Sequence, residues 1–509
     1  MTADTAAPPL AGAVPPAPPG AQHSRGRRTV ARLVLRWVFL LVATIFAFHK
    51  DILSLVDSTR AGSLNGFVWL MPIAAIIAAI GVARREHTEL PIHDRQTDVI
   101  VGVLGLVFAV LLQTILLQRY SEYFFLLRID LAAMWFFVVS SSVVLFGLRP
   151  VIRFGWVWML LLMTFPAGYQ LAVILFGGNR ASAGLAELVV AAAATAVAVG
   201  RSRNRAAVGA MGALLVGLAA LTVMVVVTPE APLLAFQLVP ASLSMVLVGV
   251  GLFYYARRGR AKYVLGRTLE PLAARQVWAG AALVLAVAAV LSLAKLPELP
   301  RPPTSVPGMT FGRPLAAPTG WHQTGESDFK WVKRIYGRNA NLIRQEFVAD
   351  KGNPLWDKQA DPRAVVVDST STGRPFTLKV YPAKVLYDEG TSRFSDPVPI
   401  DLGSGVVGSL VTVVDDKRLL THNLLTWNWT NGKSAQRVMV AAVDDHDAPE
   451  VFPEPTGGLN ATLRTLVSVF FRGNQATWDS DPTFKDRAML TEFGRGLVEA
   501  QMRQLDSPT

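Results

Sequence analysis

From Leu33 to Leu293 the chain returns repeatedly to apolar blocks, each roughly 18–24 residues long, the length a helix needs to cross ~30 Å of hydrocarbon. No other feature constrains the fold as tightly. In lipid every backbone N–H and C=O must be satisfied within the structure, so blocks of this length and composition become transmembrane helices. They lie near residues 33–48, 66–83, 98–117, 129–148, 154–176, 182–200, 206–227, 232–255 and 276–294. After Pro300 none recurs. The expected fold class is therefore a polytopic α-helical membrane domain of about nine spans, followed by an α+β extracytoplasmic domain.

Charge tests this division. The formal net charge of +12 would suit a nucleic-acid partner if it were spread over the chain. Instead residues 1–300 hold 25 Lys/Arg and 13 Asp/Glu, whereas residues 301–509 hold 24 of each. The excess belongs to the membrane half, and nucleic acid is not an expected partner. Alternating the loops puts Arg25–Arg36, Arg84/Arg85/Arg95, Arg149/Arg153, Arg201/Arg203/Arg205 and Arg257–Arg275 on one side, with 19 Lys/Arg against 6 on the other. Cytoplasmic loops carry such an excess. The amino terminus is thus expected in the cytoplasm, the carboxy-terminal domain outside it, and the lipid bilayer of the plasma or inner membrane is the one partner that composition demands.

The expected organisation is a disordered basic cytoplasmic tail (1–31), a membrane domain (32–294), a Pro-rich connector (295–320) and an extracytoplasmic α+β domain (321–509). Arg25–Arg32 followed by an apolar stretch without a small-residue cleavage site reads as an uncleaved signal anchor. In the last region, alternation predicts strands at Phe376–Val380, Val411–Val414, Leu425–Trp429 and Arg437–Val443. Helical spacing of Leu459, Leu463, Leu466, Val467 and Phe470 predicts one helix. Asp481-Pro482 would open another, with Phe484, Ala488, Phe493, Leu497 and Val498 on its buried face.

Residues able to carry chemistry are few. Cysteine is absent, which removes disulfides, thiolate metal sites and thiol nucleophiles. No serine-hydrolase elbow, zinc-protease helix or EF-hand loop occurs, so catalytic residues, metals and cofactors are all expected to be none. An ionisable residue at membrane depth is a functional candidate by default, and Glu187 is the one that qualifies. In the external domain, Trp427 and Trp429 are candidates for a carbohydrate or partner surface, or else core. Asp444, Asp445 and His446 form the densest cluster of polar ligands, in what reads as a solvated turn. Asp51 and Asp57 read as solvated charges of the longest external loop, and Arg128 and Asp130 as a surface pair at a helix start. Gln113, Gln170 and Gln237 can bond between helices. Pro72, Pro166 and Pro240 imply kinks, and Gly209, Ala213 and Gly217 a closely packed helix face.

Residues Gly66–Arg85 and Met134–Ala192, with Phe165-Pro166-Ala167-Gly168 as the kinked segment, resemble the membrane core of exosortases. Residues 320–505 resemble the exported domain associated with that family. The resemblance implies polytopic enzymes that process the sorting tails of exported proteins, often beside exopolysaccharide genes. The family's catalytic cysteine has no counterpart here. The expected function is accordingly a non-catalytic role in cell-envelope assembly or export, with envelope or exported proteins or polysaccharide as partners. The alternatives are a transporter using Glu187, and a transpeptidase-like or lipid-linked glycosyltransferase enzyme using Asp51 or Asp57.

Overall fold

The structure, a computed structural model, describes residues 19–85, 95–257, 277–298, 301–387, 392–416, 419–446, 452–455 and 482–506. The tail before Pro19, the basic loop after Arg257 and the helix expected at 459–470 lie outside the described residues.

This is a multi-pass membrane protein. Six helices are long and apolar enough to cross a bilayer, or up to eight if each of two bent pairs is one span. Helix α1 (Pro19–Ala47) begins inside the stretch expected to be an unstructured tail. It turns by 74° into α2 (His49–Arg60), so the expected external loop is largely helical. A 3-10 stretch, Leu64–Trp69, starts where the Ser63 side chain accepts from the Asn65 N–H, and it leads into α3 (Leu70–Ala83). Helix α4 (Arg95–Leu111) runs on through a π turn, Leu112–Leu116, to Arg119. Helix α5 (Ile129–Phe146) is followed by α6 (Gly155–Leu162) and α7 (Pro166–Leu175), which are bent by 63°. Pro166 stands at the first turn of α7, where its missing N–H costs nothing and its ring bars continuation from α6. Pro72, by contrast, sits in the first turn of α3.

Helices α8 (Arg180–Val199), α9 (Arg203–Val227) and α10 (Leu233–Arg257) complete one side of the bundle, and α11 (Val277–Leu293) packs beside α1. The described core of α9 is Gly209, Ala213, Gly217 and Leu221. Its Val208, Met211, Leu215 and Leu218 are exposed, as lipid-facing residues are. Lipid gives no drive to bury leucine, and small residues let backbones approach. A Cβ on Gly217 would lie 2.3 Å from Leu188 of α8, so the stripe serves packing within the bundle.

Among the described residues, the basic loops share one end. Arg36 lies within electrostatic reach of Arg32 and Arg95, and donates to the Leu145 carbonyl at the close of α5. Arg85 reaches Arg201 electrostatically, and Arg153 donates to the Arg85 carbonyl. The opposite end carries the sheet domain.

That domain is a nine-stranded sheet among the described residues: β1 (Thr304–Ser305), β2 (Trp321–Asp328), β3 (Asn341–Ala349), β4 (Ala364–Thr372), β5 (Arg393–Phe394), β6 (Val398–Asp401), β7 (Val407–Asp415), β8 (Leu420–Thr430) and β9 (Ala435–Val443). Its main path is β2-β3-β4-β9-β8-β7-β5. All pairings are antiparallel except β1 with β8. Trp427 and Trp429 face Val438, Val440 and α12 (Arg487–Asp506), whose Met489, Leu490, Phe493, Leu497 and Val498 are buried. The opposite face, with Leu342, Leu424, Met439 and Ala441, shares one apolar core with Tyr336, Phe376, Leu378 and Tyr381 and with Phe124 and Phe125 of the bundle end. An antiparallel sheet commonly keeps one face in water. Here both are covered, and all nine residues of β9 are buried.

Two expected elements of the sheet domain need correction. Phe376–Val380 is a helical turn, Thr377–Val380, rather than a strand. Its apolar residues plug the junction with the bundle instead of joining the sheet. Helix α12 starts at Arg487, five residues beyond Pro482. Phe484 takes a left-handed φ of 44° and Ala488 is exposed, so the buried face begins at Met489.

The junction is close at Gly178, whose φ is +73° and where a Cβ would meet the Arg334 carbonyl oxygen at 2.0 Å. Gly178→Val should therefore lift the sheet domain from the bundle, with strain of about 1–3 kcal/mol from the backbone alone. Limited proteolysis of the connector in detergent should become markedly faster; unchanged cleavage would contradict a packed junction.

Candidate functional site

Three departures from regular helix meet at the bundle end beneath the sheet domain: the α1–α2 bend at Phe48, the π turn holding Gln113, and Arg128, with φ 45° and ψ 53°. A left-handed arginine costs of order 1–3 kcal/mol, and π turns gather at functional sites. The three bring Asp51, Gln113, Arg128 and Asp130 together, with Asp51 4% exposed and Arg128 and Asp130 fully buried.

Arg128 grips Asp130 with both prongs, Nε to Oδ1 at 3.0 Å and Nη2 to Oδ2 at 2.5 Å. Nη2 also donates to the Asp51 carbonyl at 3.1 Å, and the guanidinium lies 4.9 Å from the Phe124 ring centroid. The Asp51 carboxylate receives the Gln113 amide on both oxygens, at 3.0 and 3.1 Å. Arg128 Nη1 and Gln113 Oε1 have no hydrogen-bond partner among the described residues. Asp51, Arg128 and Asp130 are thus corrected from surface charges to buried ones. Helix α2 lies across the bundle end instead of looping into water, and the loop before α5 folds under the sheet domain. Asp57 is exposed, as expected.

A second polar chain rises beside the first. Tyr169 OH donates to the Ala183 carbonyl at 2.9 Å and accepts from Gln237 Nε2 at 2.9 Å. Gln237 Nε2 also reaches the Leu64 carbonyl at 2.7 Å. Gln170 Nε2 donates to Asn65 Oδ1 at 3.1 Å, and Tyr381 OH of the sheet domain donates to Gln170 Oε1 at 3.3 Å. Of the expected interhelical glutamines, Gln237 bonds within the bundle and Gln170 links the membrane helices to the sheet domain. Phe125 and Phe376 close the junction edge to face at 4.9 Å.

Glu187 lies fully buried on α8, within electrostatic reach of Tyr169, and neither of its oxygens has a hydrogen-bond partner among the described residues. Arg180 does not face it, because that side chain pairs with Glu230 at 3.5 Å.

The candidates in the sheet domain separate. Trp427 and Trp429 are 2% and 0% exposed and are core, with Trp429 Nε1 donating to Gln436 Oε1 at 2.8 Å. They are not a binding surface, because the strand turns both indoles toward α12. Asp445 is exposed. Asp444 accepts from Asn423 at 2.5 Å and Thr483 at 3.0 Å. His446 is not a solvated turn residue: its ring lies between Asp357 at 2.9 Å and Asp486 at 3.3 Å, and Asp486 also faces Arg363 at 3.5 Å. These contacts buckle the end of β9 to the loop before β4 and to the approach to α12. The backbone N–H of Asp361, helped by those of Gln359 and His446's ring, holds the Asp357 carboxyl below its usual range. Burial pushes the Asp444 carboxyl up, against the Thr483 hydroxyl.

On the bundle-facing side of the sheet, Arg344 holds Asp368 at 2.8 and 2.7 Å, and Tyr387 donates to the same carboxylate. Burial alone would lower the Arg344 guanidinium, but its bonds to Asp368 more than offset that. Arg437 donates to the carbonyls of Tyr381, at 2.9 Å, and Leu378. Burial pushes the Tyr381 phenol well above its usual value, with Tyr336 adding to the effect. Among the described residues, no three His, Asp or Glu side chains converge as metal ligands would. An open groove of about 820 Å³ runs along α12, lined by Trp321, Phe484, Arg487, Glu492, Arg495 and Arg503.

Sequence reasoning missed the Asp51–Gln113–Arg128–Asp130 cluster as a unit. The available signal was two opposite charges, Arg128 and Asp130, set among apolar residues at the start of a span. Comparison with protein-family models, with curated proteins and with solved structures finds no match.

Removing one member of a buried ion pair leaves the other uncompensated, at about 3–5 kcal/mol. Arg128→Met should therefore destabilise the detergent-solubilised protein by that order, and adding Asp130→Leu should recover much of it. Equal melting temperatures for Arg128→Met and wild type would contradict the cluster. For Asp444 the folded-state shift is upward, so its contribution is fully present below the ordinary carboxylate range and lost as pH rises through the folded value. Asp444→Asn should melt like wild type in acid and higher at neutral pH, as thermal scans across that range would show.

Proposed function

We propose that this chain is a non-catalytic component of cell-envelope assembly or export in the plasma or inner membrane. In this reading the sheet domain, outside the cytoplasm, is the working part. The packed junction carries the proposal. A domain merely tethered by the Pro-rich segment would need no Phe125–Phe376 contact and no Tyr381–Gln170 hydrogen bond. A domain held on the bundle presents its α12 face, with the open groove, at a fixed height above the lipid. Gathering the basic loops at the far end supports a cytoplasmic location for that end. If α11 is counted as a crossing, the spans number nine and the sheet domain lies opposite the start of α1.

The resemblance to exosortase membrane cores supports the same reading. A relative without the nucleophilic cysteine keeps the scaffold and loses the transpeptidation. The partners would be exported or envelope proteins or polysaccharide. In the parent cell, removing residues 301–509 should abolish complementation of a deletion strain, scored by surface polysaccharide and exported-protein profiles. Moving that domain onto an unrelated single-span anchor should not restore it. Full complementation by either form would sink the proposal.

Glu187 favours a second reading. Its two unpartnered, fully buried oxygens are what a transported cation or proton would use. Transport by the wild type in liposomes that is lost in Glu187→Gln would select this reading over the first.

A further inference from the structure

We propose that Asp51, paired with the amide of Gln113, is a proton-binding site at the bundle end. The proposal goes beyond the envelope reading and does not depend on it.

The cluster contains two carboxylates and one guanidinium, a net charge of −1 when all are ionised. Arg128 directs both prongs at Asp130 and meets Asp51 only at its backbone carbonyl. The Asp51 carboxylate therefore has a neutral amide as its side-chain hydrogen-bond partner, in a place that is 4% exposed. Burying an isolated carboxylate is strongly unfavourable unless a counter-charge or proton neutralises it. The groups that face it electrostatically are Asp130 and Arg128 at the start of α5. From α4 it meets Gln113. On its own helix Asp57 is exposed, and Lys50 donates instead to the Ala294 carbonyl at 3.1 Å.

The second observation is at Gln113 itself. Its Nε2 forks across both Asp51 oxygens, while its Oε1, on the same buried amide, has no hydrogen-bond partner among the described residues. A protonated Asp51 has one O–H to donate and needs one acceptor. A small rotation converts the fork into a cyclic acid–amide pair: Asp51 O–H to Gln113 Oε1, and Gln113 Nε2–H to the other Asp51 oxygen. The ionised form leaves Oε1 unsatisfied; the protonated form satisfies both groups. The step is one proton from hydronium to a carboxylate oxygen, releasing water, with no other bond made or broken. The π turn at Leu112–Leu116 re-aims Gln113 out of the regular helical series toward this pairing.

The test uses the full chain in detergent, with infrared difference spectra between about pH 5 and about pH 8. Wild type should show a protonated-carboxyl carbonyl band that is lost as pH rises. Asp51→Asn should lack that band, and Glu187→Gln should keep it. Gln113→Leu, which retains Asp51, should shift the midpoint of its loss and guards against an Asp51→Asn protein that does not fold. Absence of the band from wild type, its persistence in Asp51→Asn, or an unmoved midpoint in Gln113→Leu would overturn the proposal.

Discussion

The bidentate pairing of Arg128 with Asp130 is the interaction on which the rest of the molecule depends. It holds an arginine in a left-handed backbone conformation, out of water, at the start of a membrane helix. It fixes the short turn Phe124–Leu127, and that turn supplies Phe124 and Phe125 to the junction core. Through the Asp51 carbonyl it also ties down α2, the helix laid across the bundle end. Local strain of this kind persists only where surrounding structure over-determines it. Here the surroundings are the bent helix, the π turn and the domain packed above.

The sheet domain follows from that platform. Its antiparallel sheet has two apolar faces. One is closed by α12 within the domain, and the other is closed by the end of the membrane bundle together with the residues around Phe376 and Tyr381. The buried guanidinium groups on the bundle side of the sheet are paired, Arg344 with Asp368 and Arg437 with backbone carbonyls. Burial there is compatible with charge because each donor has a fixed acceptor. The membrane half is therefore a mount as well as an anchor, and the function proposed for the chain rests on that difference.

Much of this was legible in the sequence. The apolar blocks located the membrane helices, six or up to eight of which can span a bilayer among the described residues. The described residues of the basic loops lie at one end, and apolar patterning located β7, β8 and β9 together with the buried face that holds Trp427 and Trp429. What escaped has a common cause. Periodicity reports which residues avoid water but not which other element supplies the cover. Phe376, Leu378 and Val380 alternate like a strand because they are buried, yet they are buried as a helical turn against the bundle. Asp51, Arg128 and Asp130 read as surface charges because they lie at or beyond the ends of apolar blocks, and only the α1–α2 bend and the loop before α5 bring them together under the sheet domain. His446 read as solvated for the same reason, its partners Asp357 and Asp486 being far away in the chain.

The absence of cysteine allows a direct measurement of the central claim, that the sheet domain is held rigidly on the bundle. Cysteines placed at Asp57 on α2 and Leu355 in the sheet domain, both exposed, can carry spin labels for pulsed dipolar distance measurement. A packed junction predicts a single narrow distance distribution in detergent and in lipid. A broad or multiply peaked distribution would show a domain that is tethered and not mounted, and would contradict the account.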